Sequence, residues 1–159
     1  MGRNILLSLL LIAVIVPMQL FAHCEIPCGI YGDKMRIDML KEHVTTIEKS
    51  MNQIMELQKA DSINYNQLVR WINNKDDHAN EFQHIVTQYF MTQRIKLVDG
   101  SDKAALEKYQ KELDLLHEML IYAMKAKQTT DLQNCTKLNE LIDSFYNSYF
   151  SEEEKKHAH

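Results

Sequence analysis

The sequence predicts an all-α chain, an antiparallel four-helix bundle led by an irregular, cysteine-bearing segment. Three observations point there. Beyond Asp33, Gly100 is the only glycine or proline in the 159-residue chain, so helices can run long without a breaker. Apolar residues recur after that point in four separate stripes at helical spacing. Short polar stretches join the stripes, as antiparallel neighbours require.

The first stripe is Leu40, Val44, Ile47, Met51 and Ile54, in steps of four and three. The second is Phe82, Val86 and Tyr89, preceded by Leu68, Val69, Trp71 and Ile72. Leu106, Tyr109, Leu113, Leu116 and Leu120 make the third, and Cys135, Leu138, Ile142, Phe145 and Tyr149 the fourth. Between them, Asp61 and Ser62 are candidate caps for the second helix and Ser101 or Asp102 for the third. Thr129 and Thr130 precede the fourth. Met39, Met51, Met55, Met119 and Met124 read as flexible core filler, and Cys135 as a small buried hydrophobe. The bundle is expected over 33–150, with a solvated polar tail over 151–159 that ends in His157 and His159.

Residues 1–22 read as a cleavable signal peptide: Arg3, an apolar run from Ile5 to Val16, then Ala22 at the cut. The run is short for a membrane span, which takes about 20 residues; an uncleaved anchor is the competing reading. The leader implies export to an oxidising compartment, periplasmic or extracellular. Losing Arg3 moves the formal net charge from −4 to −5, which excludes a basic nucleic-acid surface.

Directly after the leader comes "HCEIPCGIY", residues 23–31. With Gly32 it forms a built loop rather than a tail, since it holds Pro27, Gly29 and two of the three cysteines. Cleavage after Ala22 frees the His23 α-amine, a nitrogen ligand once deprotonated. The Cys24 amide lies one peptide unit on and the Cys24 thiolate one side chain further. Cys28 returns across the loop with a second thiolate, and the His23 imidazole can reach an axial position. Planar nitrogen and sulfur donation suits nickel(II) or copper(II) rather than tetrahedral zinc. Such donors bring a higher oxidation state within reach, and metal binding also shields the thiols from oxidation.

The segment resembles the nickel hook of the nickel-containing superoxide dismutases, H-C-x-x-P-C-G-x-Y at the mature terminus. The resemblance implies one nickel per subunit, held by His23, Cys24 and Cys28, and a homohexamer of four-helix bundles. It implies disproportionation of superoxide to dioxygen and hydrogen peroxide at a Ni(II)/Ni(III) centre. Tyr31 matches the tyrosine over the open face of the metal, and Glu25 replaces the hook's usual aspartate. "MRID" resembles the family's "RIE", which makes Asp38 the carboxylate for the His23 imidazole, one residue closer to Tyr31 than in the family pattern. "QYF" resembles "DYF" and makes Tyr89 a second tyrosine near the site; a core aromatic is the competing reading. No single residue matches the family's arginine on the second helix, where Arg70, Lys75 and His78 all lie. Two other functions stay open on residues alone: an exported metal carrier without turnover, and a helical binding protein with a Cys24–Cys28 disulfide.

Overall fold

The computed structural model describes residues 32–152. Residues 1–22, expected to be a signal peptide, the segment 23–31 and tail residues 153–159 lie outside the described residues. Four helices carry the chain, and no strand occurs among the described residues. They are α1 (Asp33–Gln58), α2 (Tyr65–His84), α3 (Lys103–Gln128) and α4 (Gln133–Tyr149), with α2 continuing into a π-helical segment, Ile85–Arg94. Each helix packs on its two sequence neighbours, and α4 closes the ring against α1.

Cross-helix contacts fix the directions. Asp33, at the start of α1, meets Arg94 at the end of the π segment and Tyr149 at the end of α4. At the other end, Met51 late in α1 touches Cys135 early in α4, with sulfurs 3.8 Å apart. Adjacent helices therefore run antiparallel.

The first and fourth stripes are buried largely as their spacing predicts. Leu40, Val44, Ile47, Met51 and Ile54 all face the core, as do Cys135, Leu138, Ile142 and Phe145. The second helix divides. Phe82, Val86 and Tyr89 are core residues, whereas Val69 and Ile72 are 53% and 37% exposed. With Tyr65 they form an outward apolar stripe on the first turns of α2. The third stripe is rotated: of its members only Leu116 is fully buried, and the core row is Glu112, Leu116, Met119, Ala123 and Ala126. A charged residue and two alanines disguise that row as polar and neutral in the sequence.

Helix starts follow local chemistry. The Asn64 side chain accepts from the Gln67 amide and caps α2, in place of Asp61 or Ser62. Asp102 caps α3 as expected, accepting from the Ala105 amide at 3.1 Å. Before α4, Asp131 accepts from the Gln133 amide, while the Thr129 hydroxyl accepts from the Asp131 amide and holds the turn.

The π segment matters most for position. Its wider turn appears in Ile95 N–H donating to the Phe90 carbonyl, and Thr92 and Gln93 side chains donating five residues back. Widening lets the consecutive pairs Ile85–Val86 and Tyr89–Phe90 both face inward. It also sets Arg94 opposite the start of α1.

Candidate metal centre

Helix α1 begins abruptly. Gly32 stands at φ 74°, in the left-handed region, and Asp33 is the first helical residue. A Cβ added at Gly32 would meet nothing within 4 Å, so backbone angle rather than space calls for glycine here. The carboxylate of Asp33 near the helix amino terminus is favoured by the helix dipole.

Asp33 is a hub for the ends of three helices. Tyr89 O–H donates to Oδ1 at 2.5 Å, and Tyr149 O–H donates to Oδ2 at 2.6 Å. Arg94 donates through Nε and Nη2, at 3.1 and 2.5 Å, to Oδ2. Burial alone would raise the Asp33 pKa, but the donors Tyr149, Tyr89 and Arg94 together outweigh it and hold the carboxyl below its usual value. Burial and the Asp33 carboxylate push Tyr89 up to about 12, so its phenol stays protonated. The Arg36 guanidinium lies 5.0 Å from the Tyr89 ring centroid, a cation–π contact, and donates to Met39 Sδ.

Beside the hub lies a cleft of about 250 Å³ between the end of the π segment and the start of α3. Arg94, Lys96 and Lys108 bring positive charge to it; Tyr109, Glu112 and Tyr149 complete the wall. Burial raises the Glu112 pKa despite Lys108 and the Ser148 hydroxyl, which donates to it.

The sequence-predicted site residues divide among these surroundings. Tyr89 belongs to the hub. Asp38 sits one turn along α1, exposed, where Lys34 donates to both of its oxygens at 2.8 Å. His23, Cys24, Glu25, Cys28 and Tyr31 lie outside the described residues. Of the basic residues weighed on α2, Lys75 is buried and donates to Asp76 and to the Ala126 and Lys127 carbonyls that end α3. His78 meets His43. Arg70 is exposed near the start of α2, at the end of the bundle away from Asp33. The π segment instead brings Arg94 to the start of α1, where Arg36 of α1 itself lies over the Tyr89 ring.

Sequence reasoning passed over Asp33, Arg94 and Tyr149. "GD" immediately after the hook was the available signal, an acidic residue at a helix start; its two long-range partners had none.

Among the described residues no group of three or more His, Cys, Asp or Glu side chains is placed to hold a metal. Cys135 is buried against Met51 at the far end, its thiol pushed up to about 12 chiefly by burial. The other two cysteines, Cys24 and Cys28, precede Gly32 and lie outside the described residues; a pair of thiolates is donor chemistry that would suit a soft-to-borderline metal such as nickel. No helix among the described residues is long and apolar enough to cross a membrane.

No curated protein and no solved structure matches the chain. A family model, nickel-containing superoxide dismutase, matches residues 18–154, a span that takes in residues 23–31, the start of α1 and every helix of the bundle. The chain therefore belongs to the nickel-containing superoxide dismutases, oxidoreductases that act on superoxide and use nickel as cofactor.

Proposed function

We propose that the enzyme matures by removal of residues 1–22 by a signal peptidase during export, and that the new terminus at His23 builds the metal centre. The observation that carries this reading is the pattern His23-Cys24-x-x-Pro27-Cys28-Gly29-x-Tyr31 set directly before an anchored helix start. The His23 amine and imidazole, the Cys24 amidate and thiolate and the Cys28 thiolate would hold the nickel. A nickel ion held there, one per subunit, would supply a Ni(II)/Ni(III) couple for the one-electron oxidation and reduction of superoxide. Two superoxide ions and two protons thus become dioxygen and hydrogen peroxide.

The remaining roles belong to the chain. Tyr31, joined to Gly32, stands over the open face, orders water and limits approach to small anions. Glu25 keeps the acidic character of the hook. Asp38 holds the His23 imidazole while sharing its charge with Lys34. Tyr89, kept neutral and tied to Asp33, fixes the wall on which the hook rests. With a net charge of −5 the mature chain has no bulk pull on an anion, so local cations near the hook, Arg36 and Lys34 first, do any steering. The family resemblance further implies a homohexamer, and the outward stripe Tyr65, Val69 and Ile72 is an apolar surface available to it.

The experiment is nickel content and superoxide turnover of the chain beginning at His23, compared with Cys24→Ser and Cys28→Ser. Both variants lose bound nickel and activity together on this reading. Full nickel content in either variant would show that the thiolates are not the ligands.

A further inference from the structure

His43 on α1 and His78 on α2 face one another across the groove between their helices, with Nδ1 to Nδ1 at 2.9 Å. Their rings are 5.1 Å apart by centroid and tilted by 56°. Both side chains are half-buried, so solvent and small ions reach them. In the hydrogen-bonded form one Nδ1–H donates to the other ring's lone pair, which requires both rings to be neutral or to share one proton. Two imidazolium rings cannot occupy this geometry, since each would present a proton to the other. Burial first, and His78 second, accordingly lower the His43 pKa, against a raising effect of Glu81 and Glu42.

The same juxtaposition suits a divalent transition-metal ion. Imidazole nitrogens bind such ions at about 2.0–2.1 Å, so two nitrogens subtending a right angle stand about 2.9 Å apart and a tetrahedral pair about 3.3 Å apart. The observed spacing matches the first arrangement, and in either one both rings must turn so that their Nδ1 lone pairs converge on the ion instead of pointing along the line between them. Carboxylates are at hand: Glu81 lies one turn beyond His78 on α2 and Glu42 adjoins His43 on α1, both exposed and both acting on His43 electrostatically. From there they offset part of an ion's charge without standing among its ligands. Along α1 the pair stands about 15 Å from Asp33, at 1.5 Å per residue.

We propose that His43 and His78 form a second, interhelical site for a divalent transition-metal ion such as zinc, with water completing the coordination. The ion replaces the bridging hydrogen of the pair; that proton leaves one Nδ1 and is taken up through solvent at the Nε2 of the same ring, so both rings stay neutral. Binding ties the middle of α1 to the middle of α2. It uses none of the hook's donors, so it stands or falls apart from the nickel reading.

The test uses the nickel-loaded protein with the tail histidines removed as His157→Ala and His159→Ala, equilibrated with zinc. Nickel and zinc are counted together, and the ring-nitrogen resonances of the histidines are followed. The expected result is one added zinc per chain with nickel content unchanged. The Nδ1 resonances of His43 and His78 shift to metal-bound positions while those of His84 and His117 stay. His43→Asn and His78→Asn each abolish the added zinc. Zinc that persists in both variants, or Nδ1 resonances of His43 and His78 that do not respond to zinc in the unsubstituted pair, would overturn the site and leave a hydrogen-bonded pair only.

Discussion

The Arg94 guanidinium, closing the π segment, and the Asp33 carboxylate, opening α1, meet at 2.5 Å, although 61 residues separate them in sequence. Asp33 is only 13% exposed there, and Tyr89 and Tyr149 donate to the same group. One carboxylate thus gathers the ends of three helices at the first residue of α1, directly after Gly32. Asp33→Asn removes the charge and leaves these donors poorly matched, at a cost of about 1–3 kcal/mol. Chemical denaturation of the two proteins at neutral pH measures it.

The same carboxylate gives a signed pH dependence. Its pKa is lower in the folded chain than the ordinary 3.8, so the unfolded chain binds a proton first as acid is added. Its stabilising contribution is present above about pH 4 and is lost as pH falls through the lowered folded value. Melting temperatures followed downward from pH 5 should therefore drop more steeply for the native sequence than for Asp33→Asn. Parallel curves would remove Asp33 from the acid response.

Glu112 carries the opposite sign. Burial raises its pKa above 4.5, so the folded chain holds this proton to higher pH than the unfolded chain does. Its favourable contribution is present below the unfolded value and is lost as pH rises through the folded one. Glu112→Gln is expected to be more stable than the native sequence at pH 7, with the gap closing as the pH falls below about 4.5. Paired melts at the two pH values read this directly.

Gly32→Ala isolates the backbone at the hook junction. The added Cβ has open space, so its cost comes from φ 74° alone, about 1–2 kcal/mol. The expected outcome is a lower melting temperature and weaker nickel retention, because the chain upstream must leave α1 at a different angle. Nickel loss during timed dialysis measures the second effect.

How far the sequence discloses this arrangement depends on the kind of contact involved. Periodicity in α1 and α4 shows the core face because those rows are uniformly apolar. In α3 the buried row carries Glu112, Ala123 and Ala126, so a hydrophobic reading selects a neighbouring face and retains only Leu116. The π segment leaves no spacing signal of its own; consecutive buried pairs such as Tyr89–Phe90 look like an ordinary thick stripe until the widened turn is seen. The proposed donors His23, Cys24 and Cys28 stand out in the sequence because they lie within six residues of one another. The joining of Asp33, Arg94 and Tyr149 is legible only in three dimensions: Asp33 and Arg94 are ordinary surface residue types, and Tyr149 shows in the sequence only as the last member of an apolar stripe. Asp38, named from a short motif, is found exposed and paired with Lys34.

Cys135 separates structural sulfur from the proposed metal-binding sulfurs. It is 1% exposed and packs on Met51 at the end of the bundle remote from Asp33. Cys135→Ala should cost about 1 kcal/mol or somewhat more through the small cavity it leaves, while nickel content and turnover stay at native levels. A loss of nickel in the folded variant would bring Cys135 into the metal centre after all.

The central claim is that a freed His23 amine joins the Cys24 and Cys28 sulfurs around nickel. Amino-terminal sequencing of the active protein, combined with metal analysis of the same sample, tests it most directly. The account predicts a chain starting at His23 with one nickel each, and loss of both nickel and turnover when one extra residue precedes His23. Active protein that starts elsewhere, or that turns over superoxide with Cys24 and Cys28 joined in a disulfide, would contradict it.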